Sequence, residues 1–126
     1  MKTSELTGAQ LDWAVAKCEG VDVFIDTELY GCPRLLDKRI EEWVICPDDC
    51  VFDPSTDWSL GGPIIEREDI ATRKYGDFPE TRWQADDWQF RFVNPKASGP
   101  TPLIAAMRCY VASKMGDEIN LPEELS

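Results

Sequence analysis

The side chain that most often carries protons and ligates metals in enzymes is missing here: the 126 residues include no histidine. That removes the commonest general base, triad partner and metal ligand together. Cysteines, carboxylates and glycine-rich turns remain as candidates. Cys46 and Cys50, in the run Cys46-Pro47-Asp48-Asp49-Cys50, stand one residue too far apart for a redox pair, and no second pair completes a tetrahedral zinc site. Asp48, Asp49, Asp53 and Asp57 crowd as in a calcium loop, but the glycine and bidentate glutamate such a loop requires are absent. Neither a metal nor a cofactor is expected. Gly61-Gly62-Pro63 lacks the Lys-Ser/Thr pair of a phosphate loop and does not follow a strand as a dinucleotide fingerprint does. Glu66 and Glu68 flank Arg67 at a helix end, where an acid or base role would need desolvation and a partner. No second catalytic group is legible, and the expectation is a protein that is not an enzyme.

Binding chemistry has more to work with. Trp58, Trp83 and Trp88 lie in or beside irregular segments, where an indole stacks on a planar ligand or fills the core. In Lys96-Ala97-Ser98-Gly99-Pro100-Thr101-Pro102 a loop enters a helix whose free N–H groups form a ready anion site. An ordinary proline-assisted N-cap explains the same residues. On the binding reading the ligand-contacting set is Trp58, Gly61, Gly62, Arg67, Trp83, Lys96, Ser98 and Thr101, with Arg67 and Lys96 as cations and Ser98 and Thr101 as hydroxyls.

These residues need elements to position them. Thr7 and Gln10 form a capping box, Leu11, Ala14, Val15 and Cys18 recur at helical spacing, and Gly20 supplies a left-handed stop. Val21, Val23 and Ile25 then alternate with Asp22, Phe24 and Asp26 as a strand. From Thr27 to Asp53 the pattern is broken by Gly31, Pro33 and Pro47, with Ile40 to Ile45 either a strand or a short helix. Pro54 to Asp57 make a turn and cap before a helix reaching about Glu68. Gly61, Gly62 and Pro63 predict that this helix is kinked or replaced at its start by a loop. Ile70 to Tyr75 and Trp83 to Val93 read as strands joined through Gly76, Asp77 and Pro79, with a bulge or a break near Asp86 and Asp87. Asn94 to Pro102 reads as a loop. Thr101 and Pro102 open a last helix with a buried stripe of Ile104, Met107, Val111 and Met115, and Gly116 ends it. The acidic residues 117–126 are expected to be a loosely docked tail. The order predicts a single α+β domain, its helices packed on a small, mainly antiparallel sheet.

Composition limits the partners. With 24 acidic against 13 basic side chains the formal net charge is −11, which opposes nonspecific adhesion to duplex nucleic acid and to anionic membranes. No apolar stretch approaches the roughly 20 residues of a membrane span, and no basic leader precedes an apolar run. Five cysteines, an odd number without framework spacing, predict free thiols in a reducing compartment. The charge is compatible with simple solubility, with docking on a basic protein in imitation of DNA, and with a small-ligand binder that has a local basic pocket.

Three blocks carry a resemblance: Met1-Lys2-Thr3-Ser4-Glu5-Leu6-Thr7-Gly8-Ala9 through Asp12-Trp13-Ala14-Val15-Ala16; Pro54-Ser55-Thr56-Asp57-Trp58 through Gly61-Gly62-Pro63-Ile64-Ile65-Glu66-Arg67-Glu68; and Gly99-Pro100-Thr101-Pro102-Leu103-Ile104-Ala105-Ala106-Met107-Arg108. In order, and with Trp83 and Val111-Ala112-Ser113-Lys114, they resemble the NinX family of temperate phages, and the segment from Thr27 to Cys50 lies outside the likeness. The resemblance implies a small accessory protein in the cytoplasm of an infected bacterium, similar to phage α-β-α sandwich proteins, and it brings no reaction and no catalytic residue. The expected function is host takeover or counter-defence by a homo-oligomer that binds and sequesters a small anionic, nucleotide-like ligand. The alternative is an acidic inhibitor that binds a host defence or replication enzyme.

Overall fold

A computed structural model of the chain describes residues 1–21, 23–26, 34–37, 51–76, 82–86 and 97–125. A 3-10 turn at Thr3–Glu5 leads into helix α1 (Gly8–Glu19), then strands β1 (Val23–Asp26) and β2 (Arg34–Asp37) and helix α2 (Trp58–Arg67). Strands β3 (Ala71–Tyr75), β4 (Arg82–Asp86) and β5 (Ala97–Gly99) follow, then helix α3 (Pro102–Met115) and a last 3-10 turn at Glu123–Leu125. β1 and β2 pair antiparallel with Ile25 opposite Leu35. β3, β4 and β5 form a three-stranded antiparallel sheet in that order, so the α+β arrangement is the one expected. Among the described residues no helix is long and apolar enough to cross a membrane.

Helix α1 starts and stops where its sequence says, with one change. Thr7 is the N-cap, but its side chain makes no capping bond, so the capping box is absent. At the other end Gly20 is left-handed at φ 71°. Gly20 N–H donates to Lys17 and Val21 N–H to Ala16, the paired bonds of a Schellman stop. α1 buries Leu11, Ala14, Val15 and Ala16.

Helix α2 runs unbroken through the Gly-Gly-Pro segment, where a kink or a loop was expected. Asp57 caps it by accepting from Ser59 N–H at 2.9 Å. Pro63 is exposed and Ile64 buried, so the proline withholds a donor on the solvent side while the opposite face packs. Gly61 explains the rest: a Cβ there would meet Leu103 Cδ1 at 2.5 Å and the Pro54 carbonyl at 2.6 Å. The glycine is what lets α2 approach α3. Beneath the turn before α2, the buried Asp12 carboxylate of α1 accepts from Ser55 N–H at 2.9 Å.

Helix α3 differs from the stripe predicted for it. Leu103, Ala105, Ala106, Met107, Arg108, Cys109, Tyr110 and Val111 are all buried, so the helix is enclosed all round and not on one face. The Thr101 hydroxyl accepts from Ile104 N–H at 3.1 Å and Pro102 occupies the first turn. Part of the expected loop from Asn94 to Pro102 is strand β5, with Gln84 opposite Ser98 and Trp83 opposite Gly99. Ala97, Ser98 and Gly99 have little strand preference, and their conformation follows from pairing with β4 and packing on α3.

The C-terminal segment, expected as a loosely docked tail, is hydrogen-bonded to the N-terminal residues. Thr3 N–H donates to Asp117 at 2.8 Å and Ile119 N–H to Met1 at 3.0 Å. Lys2 and Glu118 form an antiparallel bridge, Gln10 Nε2 donates to the Leu125 carbonyl at 2.9 Å, and Ile119 and Leu125 are buried. The sequence expectations for Ile40 to Ile45, for Cys46 and Cys50, for Asp77 and Pro79, and for the strand beyond Asp86 fall outside the described residues.

The two adjacent glycines of α2 therefore separate packing from propensity. Gly61→Ala should destabilise the protein by about 1–3 kcal/mol through overpacking. Gly62→Ala, whose Cβ would meet nothing within 4 Å, should be neutral or stabilising by up to ~1 kcal/mol. Urea denaturation of the two variants checks both signs.

Candidate functional site

The structure disperses the residues singled out in the sequence. Trp58 stands on the first turn of α2, 55% exposed. Gly61 is buried against Leu103, while Gly62 is half-buried with open space at its Cβ position. Trp83 packs against the core from β4. Ser98 lies in β5, and the Thr101 hydroxyl is engaged as the α3 cap. Lys96 and Trp88 fall outside the described residues.

Arg67 is engaged within the protein. Its Nη1 and Nη2 donate to Glu19 Oε1 and Oε2 at 2.9 and 2.6 Å, its Nε donates to Glu68 Oε2 at 2.9 Å, and its Nη2 reaches the Tyr110 hydroxyl at 3.2 Å. Tyr110 donates in turn to Glu19 Oε2 at 2.5 Å, and Lys114 Nζ lies 3.3 Å from Glu68 Oε1. The hydrogen bond from Arg67 is the main cause that holds both Glu19 and Glu68 below the usual carboxylate value. Burial, then the bond to Glu19, pushes the Tyr110 phenol up. Burial first and Glu19 second push the Cys18 thiol up to about 11, which leaves it a poor nucleophile. The network ties the C-terminal ends of α1 and α2 to α3. Arg67, expected as a ligand-binding cation, stands here with a carboxylate on two sides.

Arg108 stands in different surroundings. Arg108 projects from the enclosed helix α3 and is 8% exposed. Its Nε donates to the Leu6 carbonyl and its Nη1 to the Ser98 carbonyl, both at 2.9 Å. Among the described residues no carboxylate pairs with it. Burial, and then the like charge of Arg82, push its pKa down, the mark of a cation whose charge is not compensated. A guanidinium stays protonated under such pressure, so its remaining N–H donors seek an anion or another acceptor.

Arg108 lines an open cleft of about 660 Å³. Its wall combines Arg108 with Lys2, Thr3 and Ser4 of the N-terminal segment and with Asp117 and Glu118 beyond α3, while Ala97 and Ala112 add small apolar surface. Among the described residues no aromatic side chain lines it. In the sequence the site shows only as an arginine among the apolar residues of the last helix, and the N-terminal part of its wall, Lys2, Thr3 and Ser4, is remote in sequence, as the 102-residue separation of Leu6 and Arg108 illustrates. Among the described residues no group of His, Cys, Asp or Glu is arranged to hold a metal ion.

The family model described as bacteriophage P22, NinX matches residues 2–114. No curated protein matches the chain.

The Glu19–Arg67–Glu68 network predicts a pH dependence. Both carboxylates are held below their ordinary 4.5, so their contribution to stability is present above about pH 4.5 and is lost as the pH falls through their lower folded values. Arg67 is half exposed, which keeps the effect small through solvent screening. Thermal melts from about pH 7 to pH 3 should therefore show the gap between wild type and Glu19→Gln narrowing as the solution is acidified; a gap constant with pH would remove the ion pairs from the account of stability.

Proposed function

The chain belongs to the bacteriophage P22 NinX family, and on that premise we propose that it is a non-enzymatic phage accessory protein that binds and sequesters a small anionic ligand of nucleotide size in the cytoplasm of the infected cell. The observation that carries the reading is Arg108: a buried guanidinium, held by two carbonyls, matched by no carboxylate among the described residues and bordering a cleft. Ligand pockets run to roughly 300–1,000 Å³, and the cleft of about 660 Å³ lies within that span.

The net charge of −11 repels anions at a distance but is screened beyond ~10 Å in ordinary salt. Inside the cleft the dominant charges are local, and a desolvated cation attracts more strongly than the screened surface repels. Lys2 adds a second positive charge and Ser4 a hydroxyl. The absence of histidine and the raised pKa values of Cys18 and Tyr110 support binding without turnover.

A second reading rests on Trp58, a large exposed aromatic at the start of α2, beside the Asp57 cap. It is the kind of anchor by which an acidic inhibitor would dock on a basic host protein.

Native mass spectrometry of protein from infected cells, followed by denaturation, tests the first reading directly and reports the oligomeric state. A stoichiometric released anion is expected. Calorimetry with adenosine monophosphate and inorganic phosphate should show binding that Lys2→Ala weakens and that Arg108→Met weakens about ten- to hundredfold, the equivalent of the ~1.5–3 kcal/mol of a hydrogen bond to a charged group. A bare protein with no affinity for either probe would overturn this reading. A complex with a host protein that salt and Trp58→Ala both disrupt would establish the second.

A further inference from the structure

We infer that the segment following α3 is the specificity element of the Arg108 cleft, and that the ligand it selects carries hydrogen-bond donors, hydroxyl or amine, next to its anionic group. This inference rests on the anion-binding reading of the cleft and narrows it to phosphorylated sugars or phosphorylated amines, as opposed to a bare oxyanion.

Three observations lead there. First, the backbone holds Asp117 and Glu118 in place, so their side chains need not do so. Thr3 N–H and the Thr3 hydroxyl both donate to the Asp117 carbonyl, at 2.8 and 3.2 Å. The Met1 ammonium donates to the Ile119 carbonyl at 2.9 Å, Ile119 N–H returns a bond to Met1, and the Ile119 side chain is buried. Second, among the described residues neither carboxylate has a hydrogen bond or an ion pair, although Lys2 sits directly across the bridge from Glu118. Both signs of charge are therefore left available at the wall of one cleft. Third, the described wall of the cleft is made of polar side chains with the small apolar surfaces of Ala97 and Ala112, and among the described residues it offers a ligand hydrogen-bonding and charged groups.

The charge layout then selects. A bare oxyanion would gain Arg108 and Lys2 but would meet Asp117 and Glu118 as like charges. A ligand whose anionic group is followed by hydroxyl or ammonium donors turns that repulsion into hydrogen bonds. The two carboxylates thus act as a filter against inorganic phosphate and other small oxyanions.

The test uses the full chain and three probes: inorganic phosphate, ribose 5-phosphate and O-phosphoethanolamine, titrated by calorimetry into wild type and into the Asp117→Asn, Glu118→Gln double variant. Both substitutions preserve shape at exposed positions, and circular dichroism checks that the fold is kept. Wild type should bind ribose 5-phosphate or phosphoethanolamine at least about tenfold more tightly than phosphate, the better probe telling hydroxyl from amine recognition. In the variant the preference should shrink to within about threefold, with phosphate binding strengthened. Equal affinity of wild type for all three probes, or a preference that survives in the variant, would overturn the inference while leaving anion binding intact. Failure of wild type to bind any of the three would remove the anion-binding reading itself.

Discussion

Helix α3 is enclosed on all sides from Leu103 to Val111, and that enclosure constrains everything around it. A helix buried all round cannot leave its polar side chains to water, so each must be met by a partner from the layer that covers it. Arg108 takes the carbonyls of Leu6 and Ser98, which ties the N-terminal segment and β5 to the helix. Tyr110 takes Glu19, which brings the end of α1, and with it Arg67 of α2. The small residues Ala105 and Ala106 and the bare backbone of Gly99 let these layers close: a Cβ on Gly99 would stand 3.0 Å from Ala105 N and Ile104 Cγ2.

The two buried polar groups of α3 end differently. Around Tyr110 the charges close on one another, with two carboxylates against Arg67 and one of them also against Lys114. Around Arg108, among the described residues, they do not. Removing an ionised side chain from water costs several kcal/mol, and two bonds to neutral carbonyls offset only part of that. The residual demand for an acceptor falls at the edge of a cleft, which is why the chemistry of this protein is read at Arg108 and not at the more conspicuous Arg67.

The family relation, the class of fold and the principal helices were legible in the chain. Thr101-Pro102 before an apolar run, and Gly20 after one, are local signals whose physics involves a few neighbouring residues, and both act in the structure as the sequence predicts. The Gly-Gly-Pro segment was misjudged because helix propensity counts Gly61 as a cost. Its use is the contact with Leu103, 42 residues further along a chain that has to fold before the two meet. β5 was misjudged for the same kind of reason, since Ala97, Ser98 and Gly99 become a strand only by pairing with β4.

By itself, then, the sequence determined what local interactions can encode: the caps of α2 and α3 and the stop of α1, the strand alternation at β1, the acidic charge and the absence of histidine. Tertiary structure alone decided which arginine meets carboxylates and which meets backbone carbonyls among the described residues, because that depends on whether Glu19 or the Leu6 carbonyl comes to lie beside it. It also decided that the residues after Gly116 pair with Met1, Lys2 and Thr3 and form a wall of the cleft. Charge and propensity belong to single residues or short windows. Compensation of a buried charge belongs to groups brought together from the two ends of the chain, and no window of sequence contains both.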